Sequence, residues 1–481
     1  MDSSLMDPLN ASTALWPAMD ATSIFQWTVL LAAIAITFLH LARSRQAAPT
    51  LKGRLKRRMS TLGWATKESE TESNRSIPLT ITIMEGALSR TALGAHLQAR
   101  MAEDAAFFYR FMSRVEDGNF VADATFDAID HITTHELVEG ETPHDVAESL
   151  ANKALDGSRP LWAVTLIPDG EQTWLVWRIH HCIGDGASLA MAFFKFSDAT
   201  ELPSPAPTAP QAPKVKKPAT PVHIVVAQIL WSIFMYVRKF SSMIIFPEPR
   251  TVLKKAGHER KRLGYTLDFN IAETKAVGKH FHATLNDVLV SCIAGALRKT
   301  IETETQAPVA PSLSLRAGIP INMRGLAAIA TTSNDFSSLV VDLPVGEANA
   351  ASRMKLVAKR LTEAKFSLEK DFTRLVSQFI MSLPRDLMRH GVHWSASNVT
   401  IAITNVRGPP VDIFFCGHRM KASYAFVPPP PSVNLGVAIT SWGTSLGVTV
   451  LMDTSIKATP EAFINAIEAE FQALKASLKL D

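Results

Sequence analysis

The sequence predicts an α/β protein (α+β mixed sheets) built in two halves behind an apolar N-terminal helix. Three observations predict it. Strand and helix signals alternate from residue 78 onward, a proline-rich stretch divides them, and one uncharged apolar run stands near the N-terminus. With 481 residues, 47% hydrophobic and 20% charged, the chain is long enough for two or three domains and a large core. A net charge of +4, without a stripe of basic residues interleaved with aromatics, gives no support for a nucleic-acid partner. Cys182, Cys292 and Cys416 lie far apart without CxxC spacing, which argues against a disulfide framework or structural zinc and suits a reducing compartment.

Taken in order, residues 1–23 are a short polar lead. Residues 24–42 (IFQWTVLLAAIAITFLHLA) would extend about 28 Å as a helix, close to the thickness of a hydrocarbon core. Asp2, Asp7 and Asp20 precede this run, whereas Arg43, Arg45, Lys52, Arg54, Lys56, Arg57 and Arg58 follow it. By the positive-inside rule this predicts a single-pass transmembrane helix with residues 1–23 luminal and the catalytic domains cytosolic, anchored in a eukaryote at the endoplasmic reticulum membrane. Residues 43–77 then read as a basic linker, and a lipid membrane is an expected partner.

The first half, 78–202, opens with PLTITIMEG as a strand and LSRTALGAHLQARMAED as a helix. Helix HDVAESLANKAL and strands LWAVTLIP and TWLVWRIHH close it. Seven prolines between Pro203 and Pro221 forbid helix and favour an extended connector, assigned to 203–254. Its second part, VHIVVAQILWSIFMYVRKFSSMIIF, keeps Gln228, Ser232 and Tyr236 on one narrow stripe. That pattern fits either a core helix or a helix lying on a membrane or lining a lipid passage. The second half, 255–481, shows helices at ETKAVGKHF and NDVLVSCIAGALRKTIE, strands at RAGIPINM and SSLVVDLP, and helices over 349–364 and 373–383. Strands around VTIAITNV, YAFV, NLGVAITSW and SLGVTVLMD precede a final helix, TPEAFINAIEAEFQALKASL.

Chemistry concentrates in WRIHHCIGDGAS, residues 177–188. Alternation along WLVWRIHH marks a strand, so His180 and His181 are expected on opposite faces and only one of them meets a given site. Gly184 and Gly186 bracket Asp185 at the strand exit, where a tight turn needs small residues. A histidine there suits general-base work, because its ordinary pKa lies near neutrality. Asp185 is suited to bending back or pairing with an arginine to fix the turn. Divergent neighbouring histidines without HExxH argue against a metal site. Cys182 shares the His180 face and reads as packing rather than a nucleophile. Two satisfied core histidines remain the plainest alternative for the pair taken alone.

As a unit, His180, His181, Asp185 and Gly186 form HHxxxDG, which resembles the acyl-CoA-dependent acyltransferase superfamily. SRPLW (158–162) stands just upstream, and NDVL (286–289), PINMR (320–324), SNDFSSLVVDLP (333–344) and NVRGP (405–409) follow in order. Together they are similar to the wax ester synthase/diacylglycerol acyltransferase family over roughly residues 78–475. Arg407 and Ser333 depart from that family's usual proline and glycine. Pro160, Leu161, Trp162, Asn286, Asp287 and Arg324 are the supporting motif residues; Trp162 and Asn405 fit a core position and an ordinary turn equally well.

The resemblance implies two chloramphenicol acetyltransferase-like domains joined by a long crossover, with a channel between them. His181 is the implied general base, His180 a supporting motif residue, Asp185 an orienting group and Gly186 a turn residue. The oxyanion donor is expected from the second half, Asn334 or Ser337, with Asn405 a further channel candidate. Acyl-CoA is the implied co-substrate and a long-chain fatty alcohol or diacylglycerol the acceptor, giving wax ester or triacylglycerol. No metal, bound cofactor or acyl-enzyme is implied, and the oligomeric state stays open. The competing readings are a condensation-type or small-acceptor HHxxxDG acyltransferase and a non-catalytic membrane lipid-binding protein.

Overall fold

Apolar alternation along the strands produces two six-stranded mixed sheets and a small three-stranded one. The computed structural model describes residues 56–199 and 222–478, apart from short breaks at 258–259, 325–328, 330, 368, 409–410 and 443–444. The first half runs β1 (Lys56–Arg58), α1 (Thr61–Glu68), β2 (Leu79–Glu85), α2 (Arg90–Glu103), α3 (Ala105–Phe108), β3 (Ser113–Glu116) and β4 (Asn119–Ala122). It continues through β5 (Ile132–Thr134), α4 (Pro143–Ala151), β6 (Trp162–Asp169), β7 (Gln172–Ile179) and α5 (Gly186–Phe196). Helix α6 (Val222–Ile245) stands alone after the connector.

The second half runs β8 (Lys261–Asn270), α7 (Ile271–His280), α8 (Leu285–Thr305), β9 (Leu315–Asn322), β10 (Phe336–Leu343), α9 (Ala350–Phe366), α10 (Glu369–Ser382) and α11 (Arg385–Ser397). After these come β11 (Ile401–Arg407), β12 (Phe414–Phe415), β13 (His418–Phe426), β14 (Leu435–Trp442), β15 (Ser445–Asp453) and α12 (Pro460–Ser477). The second sheet is ordered β10-β9-β11-β14-β15-β8, parallel only where β11 meets β9 and β14. Helix α8 is its main internal support. Thr284 and Asp287 close a capping box at the N-terminus of α8, and nearly every residue from Asp287 to Leu297 is buried.

The first sheet is ordered β12-β13-β2-β7-β6-β5, so two of its strands come from the second half of the chain. β13 pairs antiparallel with β2, Tyr424 opposite Ile81 and Phe426 opposite Leu79. A shared apolar cluster follows, in which Leu79, Ile81, Ile167 and Val176 pack with Leu263, Phe426 and Leu451. The expected division at 203–254 therefore separates two segments of chain but not two self-contained sheets.

Several expectations change. The stretch read as a basic linker is folded from Lys56 on: β1 pairs with β4, and Ser60 caps α1 through the Gly63 amide. Strand β8, in which Leu263, Tyr265, Leu267 and Phe269 alternate with Arg262, Gly264, Thr266 and Asp268, and helix α11 were not anticipated. The predicted span at 24–42 lies outside the described residues, as does the whole proline-rich stretch, 203–221. Among the described residues no helix, α6 included, is long and apolar enough to cross a membrane, so the single-pass assignment is corrected. On α6, Tyr236 stacks on Phe372 at 5.2 Å and Phe240 meets Trp394 at 5.8 Å, while Leu230, Trp231 and Phe234 are exposed.

Candidate functional site

Strand β7 stops at Ile179, so both histidines sit in the turn beyond it rather than on the strand. They still diverge, because each backbone amide is tied to a different segment. His180 N–H donates to the Leu161 carbonyl (2.9 Å) and His181 N–H to the Ser76 carbonyl (2.8 Å).

The His180 ring is buried, and its Nε2 lies 3.2 Å from Glu70 Oε2. Its Nδ1 accepts the Cys182 amide at 3.0 Å. Burial disfavours the imidazolium, while Cys182 and Glu70 favour it. The geometry decides between them. A backbone N–H only donates, so Nδ1 keeps its lone pair, and His180 is held as the neutral Nε2–H tautomer donating to Glu70. Glu70 is itself ionised: burial pushes its carboxyl up, but the hydrogen bond from His180, the Lys67 charge and the Ser76 amide bring it below its ordinary value. Nothing in the local sequence marked Glu70, which lies 110 residues before its partner.

His181 turns the other way, its ring centroid 5.9 Å from that of Phe336. Its Nδ1 is buried without a partner in another residue, and the favourable backbone contact is with the residue's own carbonyl, which only Nδ1 reaches. The residue as a whole remains half-buried, leaving Nε2 the accessible nitrogen. Burial holds its pKa below the ordinary imidazole value, opposed by its own backbone, Asp185 and Asn334, so the ring is neutral at pH 7.

Asp185 is the N-cap of α5, accepting the Ser188 amide at 3.0 Å. Its second oxygen pairs with Arg324 and accepts the Asp335 amide at 2.8 Å. Arg324 also reaches Ser333 Oγ, and the Ser333 carbonyl accepts from the Asp185 amide (3.1 Å) and Ser188 Oγ (2.8 Å). The loop after His181 is thereby clasped by residues 324–335 of the second half. Neither Gly184 nor Gly186 has positive φ. A Cβ on Gly184 would come within 2.9 Å of the Ser188 Cβ, whereas one on Gly186 would meet only Val406 at 3.6 Å. Close approach, not a left-handed turn, is what this loop needs, and it needs it at Gly184.

The oxyanion candidates part company. Asn334 donates to the Cys182 carbonyl at 3.1 Å, and its Oδ1 is buried without a partner. Ser337 gives its hydroxyl proton to the Lys370 carbonyl at 2.5 Å, which leaves none to offer an oxyanion. Asn405 bonds Asn286 at 3.0 Å on β11 and α8. Asp287 is a buried cap paired with Lys365 at 3.1 Å. Leu161 and Trp162 are core: the Trp162 indole donates to the Phe111 carbonyl (2.8 Å) and stacks on His131 at 4.4 Å. Pro160 is buried beside them.

Comparison with known proteins gives the family and the fold. Family profiles for the wax ester synthase/diacylglycerol acyltransferase catalytic domain and for the WS/DGAT C-terminal domain match residues 113–289 and 332–475. A Mycobacterium tuberculosis protein named as a diacylglycerol O-acyltransferase is 24% identical over 381 residues, covering 75% of this chain and 82% of the relative. The solved wax ester synthase/diacylglycerol acyltransferase of Marinobacter aquaeolei has a similar fold, with TM-score 0.61 at 18% identity over 87% of this chain and 99% of that one. A starter condensation domain of rhizomide synthetase, solved with C8-CoA, gives TM-score 0.55 at 13% identity over 88% and 94%. Because no helix among the described residues is long and apolar enough to cross a membrane, the expectation of anchoring in an endoplasmic reticulum membrane is corrected as well.

Proposed function

Because the chain belongs to the wax ester synthase/diacylglycerol acyltransferase family and is an acyltransferase, we propose that it esterifies a long-chain fatty alcohol or diacylglycerol from acyl-CoA, with His181 as general base. The observation that carries this reading is a neutral imidazole whose Nδ1 is shut away and whose Nε2 alone remains open. Nε2 takes the acceptor's hydroxyl proton as the oxygen bonds to the thioester carbonyl carbon. The tetrahedral adduct then collapses, the C–S bond breaks, and His181 returns the proton to the CoA thiolate. Ester and free CoA leave without an acyl-enzyme, metal or bound cofactor. A second Asn334 amide proton, beyond the one given to Cys182, is the oxyanion donor this reading favours over Ser337.

The test is ester formation from labelled palmitoyl-CoA with hexadecanol and, separately, with a diacylglycerol. His181→Ala is expected to lower turnover by roughly 10²–10⁴-fold with unchanged circular dichroism. A folded, equally active His181→Ala enzyme would refute the assignment. Since burial holds the imidazole pKa down, the acid limb of kcat/KM should fall below pH 6.5, with activity lost as pH falls and the base protonates.

A further inference from the structure

The basic residues that follow the N-terminal apolar run have a structural place that membrane orientation does not explain. Arg57 and Arg58 lie on β1, facing Phe120 and Asn119 across the β1–β4 ladder. With Arg110 they line a cavity of about 100 Å³, bounded also by Tyr109, Phe120 and Thr331. Arg57 lies over the Tyr109 ring at 4.2 Å and Arg110 over the Phe120 ring at 4.9 Å. Among the described residues none of the three guanidiniums forms an ion pair with a carboxylate. Arg110 donates only to the carbonyls of Cys182 (3.3 Å) and Ile183 (3.1 Å), the two residues directly after His181. Asp185, the acid whose charge Arg110 feels, is already taken by Arg324. Burial together with Arg324 and Arg57, only partly offset by Cys182 and Asp185, brings the Arg110 pKa down to about 10.

Three guanidinium forks converging on one small cavity, without an acidic partner and in contact with the loop that carries the base, fit a phosphate. We propose that this cavity seats the phosphate groups of the acyl-CoA co-substrate. The inference rests on the acyl-CoA reading above and adds where the nucleotide end is held. It also assigns the arrangement a direction: the thioester would lie at His181 and the anionic end on the Arg110 side of the same loop.

The test uses the full chain and the double variant Arg57→Ala/Arg58→Ala, which leaves Arg110 in place. Calorimetry with CoA should show the variant's affinity weakened by about ten-fold or more, the effect of losing charge-assisted hydrogen bonds. In turnover, KM for palmitoyl-CoA should rise while kcat and the KM for palmitoyl-N-acetylcysteamine, which lacks the phosphates, stay the same. Unchanged CoA affinity overturns the proposal, and so does an equal KM rise for both thioesters. Vesicles containing phosphatidic acid separate a lipid phosphate from that of CoA: loss of vesicle binding with CoA binding intact also overturns it. If the wild type binds CoA at these arginines yet transfers no acyl group, the catalytic reading fails and this one stands.

Discussion

At the scale of the residue, the two adjacent histidines are held in opposite chemical states of readiness. His180 has both nitrogens occupied, one by a backbone amide and one by Glu70, and so takes no further proton without breaking a bond. His181 has one nitrogen closed and one open. Glu70 is thus a positioning residue: it sets the His180 tautomer, and His180 and Ser76 set the backbone from which His181 projects. Nitrogen-15 NMR of labelled histidine is expected to show His180 as the neutral Nε2–H tautomer at pH 7. Glu70→Gln, whose amide oxygen still accepts that proton, should keep the tautomer and most activity, and Glu70→Ala should lose about ten-fold or more in kcat. A doubly protonated His180, or equal activity in the two variants, would count against this role. Glu70 also bears on acid stability. Its folded pKa lies below the unfolded value of 4.5, so its contribution is full above 4.5 and is lost as pH falls through the lower folded value. In Glu70→Gln that part of the acid-unfolding slope should be missing.

At the scale of the element, β1 and α1 matter more than their charge-rich sequence suggests. They bring Glu70 and Ser76 under the histidine turn, and Asn74 beyond them donates to the Pro429, Pro430 and Val433 carbonyls at 3.3, 3.2 and 2.9 Å. A chain begun at residue 78, where the apolar period starts, is expected to be inactive and to unfold several degrees lower in a thermal melt, since it loses buried hydrogen bonds worth about 1 kcal/mol each. Wild-type activity in that truncation would show the segment to be dispensable. The helices with clean signals were legible for ordinary reasons: Thr142 and Asp145 at α4, and Thr284 and Asp287 at α8, are capping boxes readable three residues apart. Segment 56–77 was not legible, because the groups that tie it to the rest of the fold, Glu70 and Asn74, are polar and their partners lie over a hundred or several hundred residues away.

At the scale of the whole molecule, the mixed sheets were legible from alternation, but their membership was not. YAFV reads as a strand, yet no local pattern says that β13 completes the sheet of the other half. The same holds at the site, where HHxxxDG was visible as a string while the Asp185–Arg324 tie spans 139 positions. Ser337 looked as suitable as Asn334 until the Lys370 carbonyl was seen to hold its proton.

The strand lent by one half to the other has a practical corollary for anyone dividing the gene. Cut between residues 203 and 221, the upstream fragment lacks β12 and β13, leaving β2 as an open hydrogen-bonding edge, while the downstream fragment carries β13 with nowhere to dock. Expressed singly, each piece should aggregate; produced together in one cell, they should co-purify and recover turnover, because the nick falls outside every ladder of the described residues. Soluble, monodisperse material from either fragment alone would contradict this mutual dependence.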